Sequence, residues 1–246
     1  MMNKEKSVVI LFSGGCDSTV MLHMALEKYD KVYALMIDYG QRHSIELDYG
    51  HCYVNSLNNP KIDVRQIDLK CLRSLSPTSS LTNNDIDTPD VAEVRGEAQP
   101  ASYVPFRNQI FLSLAMAFAE SNNCESVWYG ATKVDSMAGV WDADQNFIDR
   151  FNAVSELNRE KKIKVHAPLL PMDKKDIVKW GVENGVDFSN TYTCYTGEGL
   201  PSITSASSSL RIQGFIENGW RDPLSYKEQE LLNEKYDALG CIHIQL

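Results

Sequence analysis

At 246 residues, with 43% hydrophobic and 23% charged residues, the chain has the composition of an ordinary globular protein and the length to bury a full core. A formal net charge of -9 and a pI near 5.1 exclude sequence-independent adhesion to nucleic acid or anionic membrane, since both need a basic surface. No apolar run approaches the roughly 18 residues that span a bilayer, and MMNKEKSVV enters a strand without a secretory apolar region, so the chain is read as cytoplasmic and membrane-free.

The first predicted element is a buried strand over Val8–Phe12. It runs into the turn Ser13-Gly14-Gly15-Cys16-Asp17-Ser18 and then a helix carrying Val20, Met21, Leu22, Met24, Ala25 and Leu26. Strand, tight turn and helix N-terminus in succession gather backbone N–H groups around one concavity, which suits an anion. The turn adds hydroxyl donors and the carboxylate of Asp17, which suits a phosphate only if Mg²⁺ bridges the two. Neither G-x-x-x-x-G-K-[ST] nor G-x-G-x-x-G is present, so two other phosphate loops are excluded. What stands here, S-G-G-x-D-S, is the pyrophosphate-binding signature of the ATP pyrophosphatases.

A second strand is predicted at Lys31–Ile37, followed by the polar stretch Asp38-Tyr39-Gly40-Gln41-Arg42-His43 at the carboxyl edge, where open parallel sheets bind ligands. A helix over 44–57, with Ser44 as its cap, and a third strand at 63–69 complete the pattern of a parallel sheet with right-handed crossovers. Periodicity is lost from Ser74 to Ser102, a length that favours an active-site lid over a plain connection. Arg107 to Ser121 is a helix apolar almost all round, so Arg107 and Asn108 at its start are pinned near the core. A fourth strand at 126–130 ends in a loop bearing Asp135, and a helix follows at 147–159. A short fifth strand at 163–165 precedes a helix over 174–184 that Asp173 caps and Gly185 ends. Residues 191–215 are Ser/Thr-rich and then amphipathic, and Ser225-Tyr226-Lys227-Glu228 reads as a capping box opening a helix to Leu239. The six cysteines (16, 52, 71, 124, 194 and 241) are scattered and give no disulfide framework. With no repeat and no linker, the economical organisation is one domain over 1–246, with 191–246 as a C-terminal, substrate-side extension.

Laid out in full, the sequence resembles the 7-cyano-7-deazaguanine synthase (QueC) family, a branch of the ATP pyrophosphatases. The resemblance rests on FSGGCDST at 12–19, IDYGQRHSIELD at 37–48, SSLT at 79–82 and YVPFRN at 103–108. It continues with APLLPMDKKD at 167–176, TCY at 193–195 and LRIQGF at 210–215. It implies an open twisted parallel sheet with helices on both faces, of the adenine nucleotide alpha-hydrolase-like kind, plus a C-terminal helical appendage. It also implies ATP and Mg²⁺, with adenylation of the carboxylate of 7-carboxy-7-deazaguanine, amide formation with ammonia, and a second activation that yields the nitrile of the queuosine pathway. Ser13, Gly14, Gly15, Asp17 and Ser18 would hold the pyrophosphate end, Asp17 through Mg²⁺, and backbone at Leu35, Met36 and Ile37 would hold the adenine. Arg107 and Lys174 would neutralise phosphate charge. Gln41, Arg42 and His43 would lie near the reacting groups, with Phe106, Asn108 and Asp135 on the substrate side. The resemblance also allows a homodimer.

The departures fall in the acceptor half. The family carries a four-cysteine zinc site, whereas this chain keeps Cys194 and has Ser202, Ser205 and Ser208 at the other three positions. A serine hydroxyl is far from ionised at pH 7 and structural zinc takes deprotonated soft ligands, so no zinc is expected. Hydrogen bonds or packing are expected to hold that loop instead. Phe106 stands where the family has glycine, and Asp142-Ala143-Asp144 stands where it has D-C-R. Intact activation residues beside a drifted acceptor half leave a second reading, transfer of the acyl group to a protein or peptide amine, as in a specialised modification or antiviral-defence pathway. A non-catalytic nucleotide-binding module is a third.

Overall fold

Val8, Val9 and Ile10 are all fully buried yet face opposite ways: Val8 and Ile10 join one core cluster and Val9 the other. A strand apolar on both faces requires a layer of structure on each side. The computed structural model, which describes residues 6–87, 99, 101–194 and 199–244, supplies both layers. Among the described residues a parallel sheet is formed by β1 (Ser7–Leu11), β2 (Lys31–Asp38), β3 (Ile62–Asp68), β4 (Ser126–Trp128) and β5 (Lys164–His166), in the order β3-β2-β1-β4-β5. This is the open parallel α/β sheet expected from the sequence.

The connecting helices take both faces. α1 (Cys16–Lys28), α2 (Ile45–Leu57) and, after a short α3 at Leu72–Leu75, α4 (Arg107–Ser121) link the first four strands. α5 (Lys133–Met137) and α6 (Gln145–Ser155) precede β5, and α7 (Lys174–Glu183) follows it. One core brings Val20 and Leu22 of α1 together with Tyr53 of α2 and Ile177 of α7. The other brings Leu112 and Ala115 of α4 against Val9, Val127 and Ile148. α4 exposes only a narrow stripe, Gln109, Ser113, Ala117 and Ser121 at i, i+4 spacing, as its apolar sequence requires. The chain runs outward through β1, β2 and β3, then crosses back to β4 on the other side of β1. That reversal is a topological switch point, and a cleft opens at the carboxyl ends of β1 and β4.

The C-terminal part adds α8 (Ala206–Ile216), β6 (Trp220–Arg221), α9 (Gln229–Ala238) and β7 (Ile242–His243), with β6 and β7 paired in parallel. It has its own small core of Ile212, Leu224, Tyr226, Leu232, Tyr236 and Cys241. Its centre is polar. Arg211, with no exposed surface, donates to Asp222 from Nε (2.6 Å) and Nη2 (2.8 Å). Nη1 donates to Thr191 Oγ1 (2.7 Å) and O (3.2 Å), and Nη2 also to Phe188 O (2.7 Å). Asp222 in turn accepts from the Tyr226 hydroxyl at 2.6 Å and the Leu224 N–H at 3.0 Å. Burial pulls the guanidinium's pKa down, but the Asp222 charge outweighs it and the net shift is upward.

Two local expectations need correction. The capping box at 225–228 does not form: α9 begins at Gln229, and Glu228 makes no side-chain cap. The Glu228 carboxylate instead accepts from Ser202 Oγ and the Ile203 N–H, both at 3.0 Å, a tertiary partnership that wins over the local motif. The stretch 74–102 is not structureless where described. Ser79, Ser80, Leu81 and Thr82 are buried, the Ser80 N–H reaches Ala101 O at 2.8 Å, and Thr82 Oγ1 donates to Ser76 O at 2.6 Å. Residues 88–98 and 100 of the predicted lid lie outside the described residues. No helix among the described residues is long and apolar enough to cross a membrane.

Candidate active site

The turn after β1 closes on its own hydroxyls. Ser13 N–H and Gly15 N–H donate to Ser18 Oγ and Ser13 Oγ, and Ser18 Oγ donates to Gly15 O at 3.2 Å. Gly14 has φ +85, and a Cβ there would lie 2.5 Å from Glu46 O and from Gly50 N, so only glycine lets this turn sit against α2. Gly15 gives α1 no side-chain cap; Thr193 Oγ1 takes the Cys16 N–H, which leaves those of Asp17 and Ser18 at the helix start without a capping side chain. The Cys16 thiol is buried beneath the turn, and burial, followed by the Asp17 charge, pushes it up to about 12, so it is no nucleophile.

Lys174 opens α7 beneath this turn, where a reciprocal capping box between Asp173 and Asp176 fixes the helix start. Its Nζ donates to both Asp17 oxygens, at 2.5 and 2.7 Å, with 12% of the side chain exposed. Burial lowers the ammonium's pKa, yet the Asp17 carboxylate more than offsets this and holds it above the ordinary lysine range. Gly214 of α8 makes room for it: a Cβ there would stand 2.7 Å from Lys174 Cγ.

Around this pair lies a cavity of ≈ 470 Å³. Of the residues expected at the site, Ser13, Gly15, Asp17, Ser18, Leu35, Ile37, His43, Arg107, Asn108, Asp135 and Lys174 all line it. Strand alternation turns the main chain of Leu35 and Ile37 toward β1, and the Phe12 N–H bonds Leu35 O at 2.9 Å. Arg107 donates from Nη1 to the Tyr39 hydroxyl at 3.3 Å, with its guanidinium over the Tyr39 ring at 5.8 Å. Asp135 Oδ2 accepts from Thr132 N (3.0 Å) and Oγ1 (2.7 Å), so this carboxylate also caps α5.

Five other expected residues are not on the cavity wall. Gly14 meets α2, as described above. Met36 has no exposed surface and its Cε packs beside Gly50 of α2. Gln41 is turned inward, accepting from the Tyr39 N–H at 2.9 Å and reaching Glu46 Oε1 at 3.4 Å. Arg42 Nη2 donates to Asn83 O and Ile86 O, binding the 79–86 segment to the sheet edge. Phe106 has a left-handed backbone (φ 53), is 55% exposed, and packs edge-on against Trp141.

Sequence reasoning missed Glu46 and Asp142, both on the wall. Glu46 stands in the first turn of the helix that Ser44 opens, three residues after His43, a signal present in the sequence. Asp142 has no local signal. Its carboxyl is raised by burial, against Arg107 and hydrogen bonds from Asn108, and it serves the start of α4, whose cap residue Phe106 has no side-chain acceptor.

The segment that closes the turn after β1 is 191–194. Tyr192 N–H donates to Gly14 O (3.2 Å) and Cys16 N–H to Thr193 Oγ1 (3.2 Å). The three serines at the positions where the resemblance implies cysteines are all hydrogen-bonded. Ser202 reaches Glu228, Ser205 Oγ donates to Ser208 Oγ at 2.9 Å and caps α8, and Ser208 Oγ donates to Thr193 O at 2.9 Å. This hydroxyl set does not fit zinc, and among the described residues no three His, Cys, Asp or Glu side chains gather as a metal-binding group.

A family model described as Queuosine biosynthesis protein QueC matches residues 7–219. This chain belongs to the QueC family. Among its relatives, the 7-cyano-7-deazaguanine synthase 2 of Colwellia psychrerythraea is 36% identical over 221 residues, covering 90% of this chain and 99% of the relative. The 7-cyano-7-deazaguanine synthase of Clostridium kluyveri is 34% identical over 231 residues, covering 92% and 100%. Among solved structures, the U34-tRNA thiolase NcsA from Methanococcus maripaludis aligns with 97% of this chain and 74% of its own, at 14% identity and a TM-score of 0.49. The QueC match ends at 219, just beyond α8, so α9 and the Glu228 contact lie outside the matched span.

Proposed function

We propose that this QueC-family chain uses ATP to adenylate the carboxylate of 7-carboxy-7-deazaguanine, releases pyrophosphate, and joins the acyl group to ammonia. One observation carries the reading: a single cavity joins the start of α1, the Ser13 and Ser18 hydroxyls and the Lys174 ammonium to a wall of Arg107, Asn108 and His43. The first group suits the polyphosphate and the second a carboxylate acceptor. A carboxylate is a poor electrophile; as the acyl adenylate it has AMP as a good leaving group. The chain's work is to place the carboxylate oxygen in line with the α-phosphorus and to neutralise charge on the departing pyrophosphate.

Lys174 and the α1 N–H groups meet the pyrophosphate, and Arg107 meets the charge developing at the reacting phosphate. The main chain at Ile37, beyond the last bond to β1, faces the adenine. Mg²⁺ commonly binds one or two carboxylates together with substrate phosphates, and the Asp17 carboxylate beside two serine hydroxyls fits such an ion arriving with ATP. Bound there, it would neutralise phosphate charge. Zinc has no part in this reading, because hydrogen bonds and the Arg211 centre hold the segment that the metal would. The chain is proposed to act in queuosine-type deazaguanine synthesis.

Incubation with 7-carboxy-7-deazaguanine, ATP, Mg²⁺ and an ammonium salt, followed by mass spectrometry, tests this reading. The expected product is the nitrile, with two AMP released for each. A primary amide alone limits the chain to the first step; unreacted acid with unspent ATP refutes the proposal. A second reading, transfer to a bulkier amine, draws support from two exposed aromatics that pack on each other, Phe106, where the resemblance expects a glycine, and Trp141, just before the Asp142-Ala143-Asp144 stretch. A secondary amide cannot become a nitrile, so that route consumes one ATP and yields a conjugate.

A further inference from the structure

The cavity wall between β2 and α2 holds a charge that the nucleotide side does not use. Glu46 lies in the first turn of α2, and its Oε1 meets His43 Nε2 at 3.3 Å and Gln41 Nε2 at 3.4 Å. Both Glu46 and His43 line the cavity, with side-chain exposures of 14% and 3%. Tyrosine rings flank them. Tyr39 stands edge-to-face with His43 at 6.4 Å, and Tyr192 packs on Tyr49 at 5.2 Å; Tyr39 and Tyr192 face the same cavity. Among the described residues no lysine or arginine pairs with Glu46, while Lys174 is held by Asp17 and Arg107 by Tyr39. A carboxylate with an imidazole and aromatic rings, in a cavity otherwise built for anions, is suited to a small cation.

We propose that Glu46, oriented by Gln41 and working with His43, is the ammonium site of this chain: it draws NH₄⁺ into the cavity and takes the proton that must leave before nitrogen can attack. The proposal rests on the ammonia-using reading above. At neutral pH ammonia is present almost entirely as NH₄⁺, which has no lone pair. One proton passes to the Glu46–His43 pair. The nitrogen then forms the C–N bond to the acyl carbon, the C–O bond to adenylate breaks, and AMP leaves with that electron pair. A second proton leaves the nitrogen as the amide forms, so acyl adenylate and NH₄⁺ give amide, AMP and two protons. The carboxylate thus gathers the nucleophile at the same wall where the acyl carbon is generated.

The test separates activation from amination in the variant Glu46→Gln, which keeps the side chain's shape. Three rates are read: carboxylate-dependent ATP–pyrophosphate exchange, amide formation from ammonium, and hydroxamate formation from hydroxylamine, a nucleophile largely neutral at pH 7. The ammonium-dependent rate is expected to fall about a hundredfold with a raised KM for ammonium. Exchange and hydroxamate formation should fall far less, and Glu46→Asp should restore part of the ammonium rate. Equal losses with both nucleophiles would make Glu46 a structural residue and overturn the proposal, as would an unchanged ammonium rate or no recovery in Glu46→Asp. A wild-type protein that exchanges pyrophosphate but does not use ammonium overturns the ammonia-using reading and this site with it, and leaves the activation step standing. One that shows no exchange overturns the activation reading and this site together.

Discussion

Asp222→Asn probes what holds the Ser-Gly-Gly turn after β1 in place. The substitution leaves the size of the side chain unchanged and removes the one carboxylate that neutralises Arg211, both partners having no side-chain exposure. It also weakens the acceptor for the Tyr226 hydroxyl at 2.6 Å. Breaking one side of a buried pair costs about 3–5 kcal/mol, because the remaining charge stays in a low dielectric. For a chain of this length that corresponds to a fall in Tm of about 6–20 °C. Arg211 also carries Thr191 through Oγ1 and O, and the next two residues bond Gly14 O and the Cys16 N–H. The loss should therefore reach the active site as a raised KM for ATP. Denaturant unfolding with a parallel ATP titration reads both effects. The double variant Arg211→Met/Asp222→Leu should recover part of the stability, since no unpaired charge remains. A loss below about 1 kcal/mol, the scale of a surface pair, would refute the reasoning.

Other outcomes follow from single contacts. Gly214→Ala forces a methyl to within 2.7 Å of Lys174 Cγ and 2.9 Å of Lys174 O, so it should cost about 1–3 kcal/mol and lower kcat by displacing the ammonium; calorimetry and steady-state rates check the pair. At position 106, with φ 53, Phe106→Gly should be more stable than Phe106→Ala by about 1 kcal/mol, and equal unfolding midpoints would contradict a left-handed backbone there. The Glu228 pKa is lowered, chiefly by the Ile203 N–H and, against a smaller burial effect, by the Ser202 hydroxyl. A lowered carboxyl adds stability that is full above its unfolded value, 4.5, and lost as the pH falls through the folded one. Wild type and Glu228→Gln should therefore differ in Tm at pH 7 and converge in acid; a constant gap contradicts the latch.

The sheet and the turn between β1 and α1 were legible because their signals are local. A short apolar run bounded by Gly-Gly-x-Asp-Ser has few conformations that bury the one and expose the other, and β1, β2 and α1 follow from it. The helix at 107–121 was legible for the same reason. What escaped depends on partners distant in sequence. Glu228 fits a capping box until Ser202 and Ile203, 26 and 25 residues away, offer better donors. Arg42 sits in the motif that marks the active site, yet its guanidinium goes to carbonyls more than forty residues on, which periodicity cannot reveal. Asp142 is called in by the uncapped start of α4, a need visible only once Phe106 is seen in a left-handed turn. Glu46 could have been found, since a helix capped by Ser44 puts it in the first turn, three residues after His43.

The central claim is that a carboxylate oxygen of the acceptor attacks the α-phosphorus of ATP. Carboxylate labelled with ¹⁸O tests it atom by atom: mass spectrometry of the nucleotide product should find one ¹⁸O in AMP for each activation. ADP with the label in inorganic phosphate, or AMP free of label, would contradict the account.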